Sequence, residues 1–265
     1  MKIFNFYYLL LGVMCLAFLS SCDKTQMEPS ALPESELSNI SAEEINNGLV
    51  YYFPFTGNSI DQVSNNAYDT HGAVFEDDRF GNKQSALCMT ANYMNIDGGL
   101  GDPEGTLSFW INVRDFDGYD IGHGYLFGRY IGSIPVGTFK LGIHEEGYIW
   151  TFANYRWGAD SIPLQTKSSL IKIKKWYHVL VRWSDAKEKI EIFLNNKKVL
   201  SANFIEGWEH TTPSEDEVAR MGLESTYSGS HTWDDKYYHG RIDEIRRYNR
   251  WIDDKEVTTL FKAKE

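Results

Sequence analysis

Thr106-Leu107-Ser108-Phe109-Trp110-Ile111-Asn112-Val113 alternates without a break. Leu107, Phe109, Ile111 and Val113 fall on one side of an extended chain, with Thr106, Ser108, Trp110 and Asn112 on the other. A period of two marks a strand with one face in a core. In Trp176-Tyr177-His178-Val179-Leu180-Val181-Arg182-Trp183, apolar residues occupy both faces, as in a strand between two layers. Lys189-Ile190-Glu191-Ile192-Phe193-Leu194 alternates again. Asn195-Asn196 follows, and Asn tolerates positive φ, so Lys198-Val199-Leu200 is predicted to return as the second arm of a two-residue hairpin. Further strands are predicted over 49–55, 84–89, 92–97, 124–130, 137–143, 147–154, 217–223 and 238–248, with Gly-rich turns between them. Short strands at this spacing predict a two-sheet sandwich or a barrel. The end alone reads as a docked helix: Asp253 as N-cap, Glu256 at N3, and Val257, Leu260 and Phe261 as its apolar face. No internal repeat is present, so residues 48–265 form one predicted domain.

The chain has 265 residues, 42% of them hydrophobic and 24% charged. That balance excludes a disordered chain, a collagen-like chain and a many-span membrane protein. A formal charge of −11 argues against nucleic acid as a partner, because phosphates demand a basic footprint.

Residues 1–21 carry one charge, Lys2, ahead of an apolar run from about Phe6 to Leu19. The run is too short to span a bilayer comfortably and ends in small residues, which predicts a secretory signal. Leu19-Ser20-Ser21-Cys22 resembles the bacterial lipobox. The resemblance implies cleavage before Cys22 and lipidation of its sulfur, and hence an outer membrane lipoprotein on the periplasmic or cell-surface face. Membrane contact is then expected through the lipid anchor only. Residues 22–47 contain six acids, one Lys and two Pro but no aromatic, and read as a flexible tether. A short helix near Ser41–Asn46 is predicted, capped by Ser41 with Glu44 closing the box. Cys15 leaves with the signal and Cys22 takes lipid, so Cys88 is left as a small buried apolar residue with no disulfide partner.

Gly48-Leu49-Val50-Tyr51-Tyr52-Phe53-Pro54-Phe55-Thr56-Gly57-Asn58 with Asp61 and Asn65-Asn66, then Asp78-Arg79-Phe80-Gly81-Asn82, Thr106–Ile111, Trp176–Val179 and Gly240-Arg241-Ile242-Asp243-Glu244-Ile245-Arg246-Arg247-Tyr248, follow one another in the order of a laminin-G-like domain. Across 48–262 the chain resembles this branch of the concanavalin A-like lectin/glucanase superfamily. The resemblance implies an all-β fold: a two-sheet antiparallel jelly-roll sandwich closed by a short C-terminal helix. The family's opening Asp-x-Ser-Gly-Asn is here Asp61-Gln62-Val63-Ser64-Asn65-Asn66, with one residue inserted and Asn in place of Gly, so the local turn is expected to differ.

Relatives include lectins, adhesion domains, glucanases and polysaccharide lyases, and fold alone does not choose among them. Glucanases of this fold carry Glu-x-Asp-x-x-Glu on one strand, and no such array is present. Glu76-Asp77-Asp78 lacks the third acid, Glu215-Asp216-Glu217 sits in a polar turn, and Asp243-Glu244 are neighbours on the closing strand, where adjacent side chains face oppositely. Tyr177-His178 are adjacent too, which does not fit a lyase pair. A non-enzymatic protein is expected. The resemblance further implies a structural Ca²⁺ held by Asp61 and Asp243, with carbonyl ligands from the turn containing Asn66 and Gly72. The alternative is that Asp61 caps a turn and Asp243 pairs with an Arg such as Arg241 or Arg246.

Eight Trp and sixteen Tyr exceed what one core needs. Trp110, Trp176 and Trp183 lie in apolar strands and are assigned to the core, Trp150 is ambiguous, and Trp251 is assigned beneath the last helix. Tyr155-Arg156-Trp157, Trp208 and Trp233 lie in polar, Gly-containing stretches, and Tyr119 and Tyr125 flank a Gly-rich one containing His123. Ring side chains beside hydrogen-bonding groups suit the apolar face and hydroxyl edge of a sugar. The predicted partner is a poly- or oligosaccharide, bound without cleavage and held near other components of a surface glycan-uptake complex. The rival readings are a structural or adhesion domain that binds a protein, and a divergent hydrolase or lyase.

Overall fold

In the computed structural model the described residues are 41–96, 100–116, 123–129, 139–151, 164–204, 219–223 and 237–263. Helix α1 (Ala42–Asn46) opens this part of the chain. It is followed by β1 (Leu49–Phe53), β2 (Val74–Glu76), β3 (Ala86–Met89), β4 (Met94–Ile96), β5 (Glu104–Val113), β6 (His123–Arg129), β7 (Lys140–His144), β8 (Ile149–Thr151), β9 (Leu164–Gln165), β10 (Trp176–Ser184), β11 (Lys189–Leu194), β12 (Lys197–Asn203), β13 (Ala219–Met221), β14 (Gly240–Tyr248) and α2 (Asp254–Lys262). Two sheets result, both antiparallel. The larger runs β12-β11-β10-β5-β14-β3-β2, with β1 also on β14, and the smaller runs β4-β13-β6-β7-β8-β9. This is the sandwich that the alternation predicts. Among the described residues no helix is long and apolar enough to cross a membrane.

The core fills the space between the sheets. Leu107, Phe109, Ile111 and Val113 of β5 are fully buried, as their period-two spacing predicts. Phe109 meets Phe127 of the small sheet at 4.9 Å between ring centroids, and Trp183 meets Phe139 at the same separation. A buried cation belongs to this layer. Arg247 bonds Asp102 Oδ2 at 2.9 Å and lies over the Trp183 ring. Gly105 makes room for it, since a Cβ there would sit 2.6 Å from the guanidinium.

Asn195 and Asn196 take φ of 48° and 65°, so the predicted hairpin between β11 and β12 forms with both residues left-handed. Both predicted capping boxes form, Ser41 with Glu44 and Asp253 with Glu256. Helix α2 lays Val257 and Leu260 on Leu180, Phe193 and Tyr248, which lie on the face of the large sheet away from the core. Trp110 is therefore not a core residue as expected. It is half-buried on that outer face and stacks on Phe261 of α2. Trp176 is likewise half-buried and outward, because it stands opposite Asn112 rather than opposite the core. Trp251 is half-buried with the Arg182 guanidinium 4.4 Å from its ring centroid.

Two strands went unpredicted, β2 and β9, each three residues or fewer and too short to show a period. The closing strand also departs from ideal alternation. A bulge between Asp243 and Arg246, with Glu244 at φ 53°, lets β14 pair with β3 along its first half and β1 along its second. The bulge turns Glu244 toward Tyr52 and Arg246, on the same outer face as Asp243. The expectation that these two acids face oppositely is thereby corrected.

Candidate functional site

The pairings of the small sheet fix where its connecting segments attach. Strands β4, β6 and β8 run one way, and β7, β9 and β13 the other. The chain therefore leaves β8 at Thr151, re-enters at Leu164 and enters β13 at Ala219, all at one end of the sheet. The stretch between Thr151 and Leu164 carries Tyr155, Arg156 and Trp157, and Trp208 lies between β12 of the large sheet and the entry to β13. The stretches carrying Tyr119 and Trp233 join at the opposite end, before His123 and after Leu223. All six residues lie outside the described residues, as does Cys22.

Tyr125 is described, and it is not an exposed platform. It is 6% exposed and meets Trp150 edge-on at 4.9 Å. The register places Tyr125, Gly142 and Trp150 in one rung on the sheet face away from the core. Gly142 permits this, because a Cβ there would stand 2.4 Å from the Trp150 ring. Lys140 reaches over Tyr125, and on the neighbouring strands Arg220 bonds Asn95 and lies over Tyr93. This face thus combines rings with cationic donors, and Trp150 sits one residue from where the stretch holding Trp157 departs.

A second feature, which the sequence reading did not single out, lies on the outer face of the large sheet. Trp176, Asn112, Arg241, Cys88 and Val74 form one rung across five strands. Arg114 and Lys174 close it at one end. Glu76, Asn112, Arg114, Lys174, Gly240 and Arg241 line a cavity of about 180 Å³. Arg114 donates to Glu76 Oε1 at 2.6 Å and to Cys88 Sγ at 3.1 Å. Burial is the main cause that pushes the Cys88 thiol up to about 11, with Arg114 opposing, so it stays a protonated, unpaired cysteine. The only sequence signal for this rung was the outward half of the period-two pattern in two separate strands. Nothing in one strand reveals its neighbour's register.

The residues expected to hold calcium have other partners. Asp61 Oδ1 accepts from the backbone N–H groups of Tyr52 and Val63, and Oδ2 accepts from the N–H and hydroxyl of Ser64. Burial alone would raise its pKa, but these bonds outweigh it and hold the carboxyl below the usual range. Asn66 turns its carbonyl to the Asp61 N–H, and Gly72 occupies a separate turn at φ 87°. Asp243 is fully buried against Arg79, Nη1 to Oδ2 at 3.0 Å. Asp61 thus caps a turn, and Asp243 meets an arginine other than the two expected. Among the described residues no group of three or more His, Cys, Asp or Glu is placed to hold a metal. The set does not fit a Ca²⁺ ion, because donors occupy its carboxylates. The melting midpoint in excess chelator is expected to match that in millimolar calcium within about 1 °C. A drop of several degrees on chelation would restore the ion.

The sequence profile of the concanavalin A-like lectin/glucanases superfamily matches residues 89–258. The chain belongs to this superfamily. No curated protein matches it. Among solved structures, the binding domain of Paraclostridial Mosquitocidal Protein 1 superposes with a TM-score of 0.62 at 17% identity, covering 82% of this chain and 52% of that one. Domain 4 of AbnA, a GH43 extracellular arabinanase from Geobacillus stearothermophilus in complex with arabinotriose, gives 0.57 at 14% identity, with coverage of 81% and 98%. Trypanosoma rangeli sialidase in complex with the inhibitor DANA gives 0.55 at 15% identity, with coverage of 80% and 32%. The chain therefore spans about half of the first of these, a third of the last and nearly all of the arabinanase domain. At these identities the likeness is one of fold.

The superfamily fold thus serves binding domains and glycosidases alike, so acids and nucleophiles must be judged by their surroundings. Glu76 pairs with Arg114, and Asp77 pairs with Lys83. Asp78 accepts from the Phe80 and Asn82 N–H groups of its own turn. Glu215-Asp216-Glu217 lies outside the described residues. Ser108 Oγ stands 2.9 Å from His178 Nε2, the spacing of a nucleophile and base, yet both are at most 2% exposed, beneath Trp110 and Phe261. Substrate has no access to that pair.

Proposed function

We propose that this domain binds carbohydrate without cleaving it. We further propose that the protein is exported and lipid-anchored through Cys22, holding glycan chains beside other components of a surface uptake complex. One observation carries the binding reading. The Tyr155–Trp157 stretch leaves β8 and enters β9 at one end of the small sheet, beside the packed Tyr125–Trp150 rung, and the stretch holding Trp208 runs from β12 of the large sheet into β13 at that same end of the small sheet. Two separate aromatic stretches that adjoin one sheet end can supply a single sugar platform. Superfamily membership supports this reading, as does the fold of an arabinanase domain described in complex with arabinotriose. Each stacked ring contributes modestly, and chains anchored side by side on a membrane would add avidity.

The test is a glycan array followed by affinity gels with residues 23–265. A polysaccharide should retard the protein, and Trp157→Ala or Trp208→Ala should each weaken retention about tenfold, the effect of roughly 1.4 kcal/mol. Silence across the array would remove the carbohydrate reading. A variant series that binds as the parent does would move the site elsewhere.

A further inference from the structure

We infer that the rung on the outer face of the large sheet is a second binding site, which takes the carboxylate of an acidic sugar. Its lining carries three cations, Arg114, Lys174 and Arg241, against one carboxylate, Glu76, in a chain whose formal charge is −11. Asp77 and Asp115 are the nearby acids, and they pair with Lys83 and His239. A local positive cleft on an acidic protein draws anions and repels them elsewhere.

The cleft is built rather than incidental. Asn112 is 4% exposed, its side chain lines the cavity, and its amide makes no hydrogen bond among the described residues. With no protein partner among those residues, the amide is free to bond a group that enters the cavity. Arg241 is held from behind. Its Nη1 donates to the Asp77 carbonyl at 2.8 Å, and its guanidinium lies 5.2 Å from the Trp176 ring centroid, which leaves Nη2 for a ligand. Arg114 uses only Nη2 for Glu76 and Cys88. Lys174 makes no ion pair among the described residues. Its backbone N–H is fixed on the Val113 carbonyl at 2.6 Å, so its side chain starts from a set position at the rim.

These donors favour a carboxylate. Two guanidinium forks match a planar oxyanion pairwise, and Glu76 already shows the fit, at 2.6 Å from Arg114 and 4.0 Å from Arg241. The Asn112 amide can then donate to one hydroxyl and accept from another, which is how a sugar beside its carboxylate would be read.

The sugar part rests on the glycan-binding reading above, whereas the oxyanion part does not. The experiment is calorimetric titration of residues 23–265 with a galacturonate trimer and with the same trimer after carboxyl reduction. The uronate is expected to bind and the neutral trimer not. Arg241→Gln should weaken binding at least tenfold. Lys174→Gln, at an exposed position that does not threaten folding, should weaken it several-fold, and raising salt should weaken it further. Equal binding of both trimers overturns the proposal, as does uronate binding untouched by both variants. A sulfated trimer that binds as tightly would overturn the carboxylate choice and leave a general anion site. Neutral glycans retained normally by Arg241→Gln would show that the site at the small-sheet end stands on its own. Uronate binding lost in Trp157→Ala but kept in Arg241→Gln would end this inference and leave the other.

Discussion

Trp150→Ala is expected to destabilise the domain by about 3–5 kcal/mol, the usual cost of emptying a buried indole site. For a domain of this size that is a fall of roughly 6–20 °C in melting midpoint. Trp150 is 1% exposed, meets Tyr125 edge-on and lies over the bare backbone of Gly142. Gly142→Ala attacks the same contact from beneath. Its Cβ would stand 2.4 Å from the indole and 2.6 Å from the Gly124 carbonyl. Overpacking of that kind costs about 1–3 kcal/mol. The double variant should lose less than the sum of the two singles, because removing the indole relieves part of the clash while the Gly124 carbonyl still resists. Denaturant midpoints of the four proteins measure this coupling. Strict additivity would mean that the ring does not rest on Gly142. Since β8 ends one residue beyond Trp150, glycan retention should fall in the folded fraction of Trp150→Ala as well.

That expectation shows how far single-strand patterns reach. The alternation in 106–113 placed Leu107, Phe109, Ile111 and Val113 inward, and the structure agrees, because alternation is a property of one strand. Trp110 and Trp176 were misassigned for the complementary reason. An outward ring in an apolar strand looks like core until the layer covering it is known, and here that layer is α2 over part of the sheet and an open cleft over the rest. The capping boxes at Ser41 and Asp253 were legible because they need only four consecutive residues. Short β2 and β9 were not, since two or three residues carry no period. The bulge at Glu244 could not be read either. It is imposed by β1 and β3 sharing one edge of β14, and no local sequence records that sharing.

The candidate sites divide along the same line. Asp61 and Asp243 were singled out by position in a resemblance, and their neighbours decided their roles. Ser64 and two backbone N–H groups saturate the first, and Arg79 neutralises the second. Arg79 is far from Asp243 in sequence and cannot be inferred from the closing strand. The cleft of Asn112, Arg114, Lys174 and Arg241 draws on three separate places in the chain. No one of these residues is unusual where it stands, and together they gather three cations on an acidic molecule.

Acid should unfold this protein earlier than a neutral core would require, and His178 should set the onset. His178 is 1% exposed, with Nε2 on Ser108 and no hydrogen-bond partner for Nδ1. Burial first, and then the guanidinium groups of Arg79 and Arg246, push its pKa down to about 3. Those two cations face it from the β2–β3 turn and from β14, each already paired with an acid, Asp243 and Glu244. The folded state therefore keeps the ring neutral where the unfolded chain, with a pKa near 6.5, takes up a proton. The stabilisation is complete above pH 6.5 and is lost as the pH falls from there toward 3, at up to about 1.4 kcal/mol per pH unit. A second buried group adds to the loss lower down. Burial would raise the Glu191 pKa, but bonds from Lys198 and Arg182 prevail and bring it to about 2, so its contribution disappears between pH 4.5 and 2. The interval from pH 6.5 to 4.5 thus isolates the histidine. Denaturation midpoints measured across it should decline by roughly 2–3 kcal/mol in the parent and far less in His178→Gln, which keeps a hydrogen-bonding group for Ser108 but cannot titrate. An equal decline in both proteins would place the acid sensitivity elsewhere. A flat His178→Gln profile would show that the site beneath Phe261 must stay uncharged for α2 to remain docked.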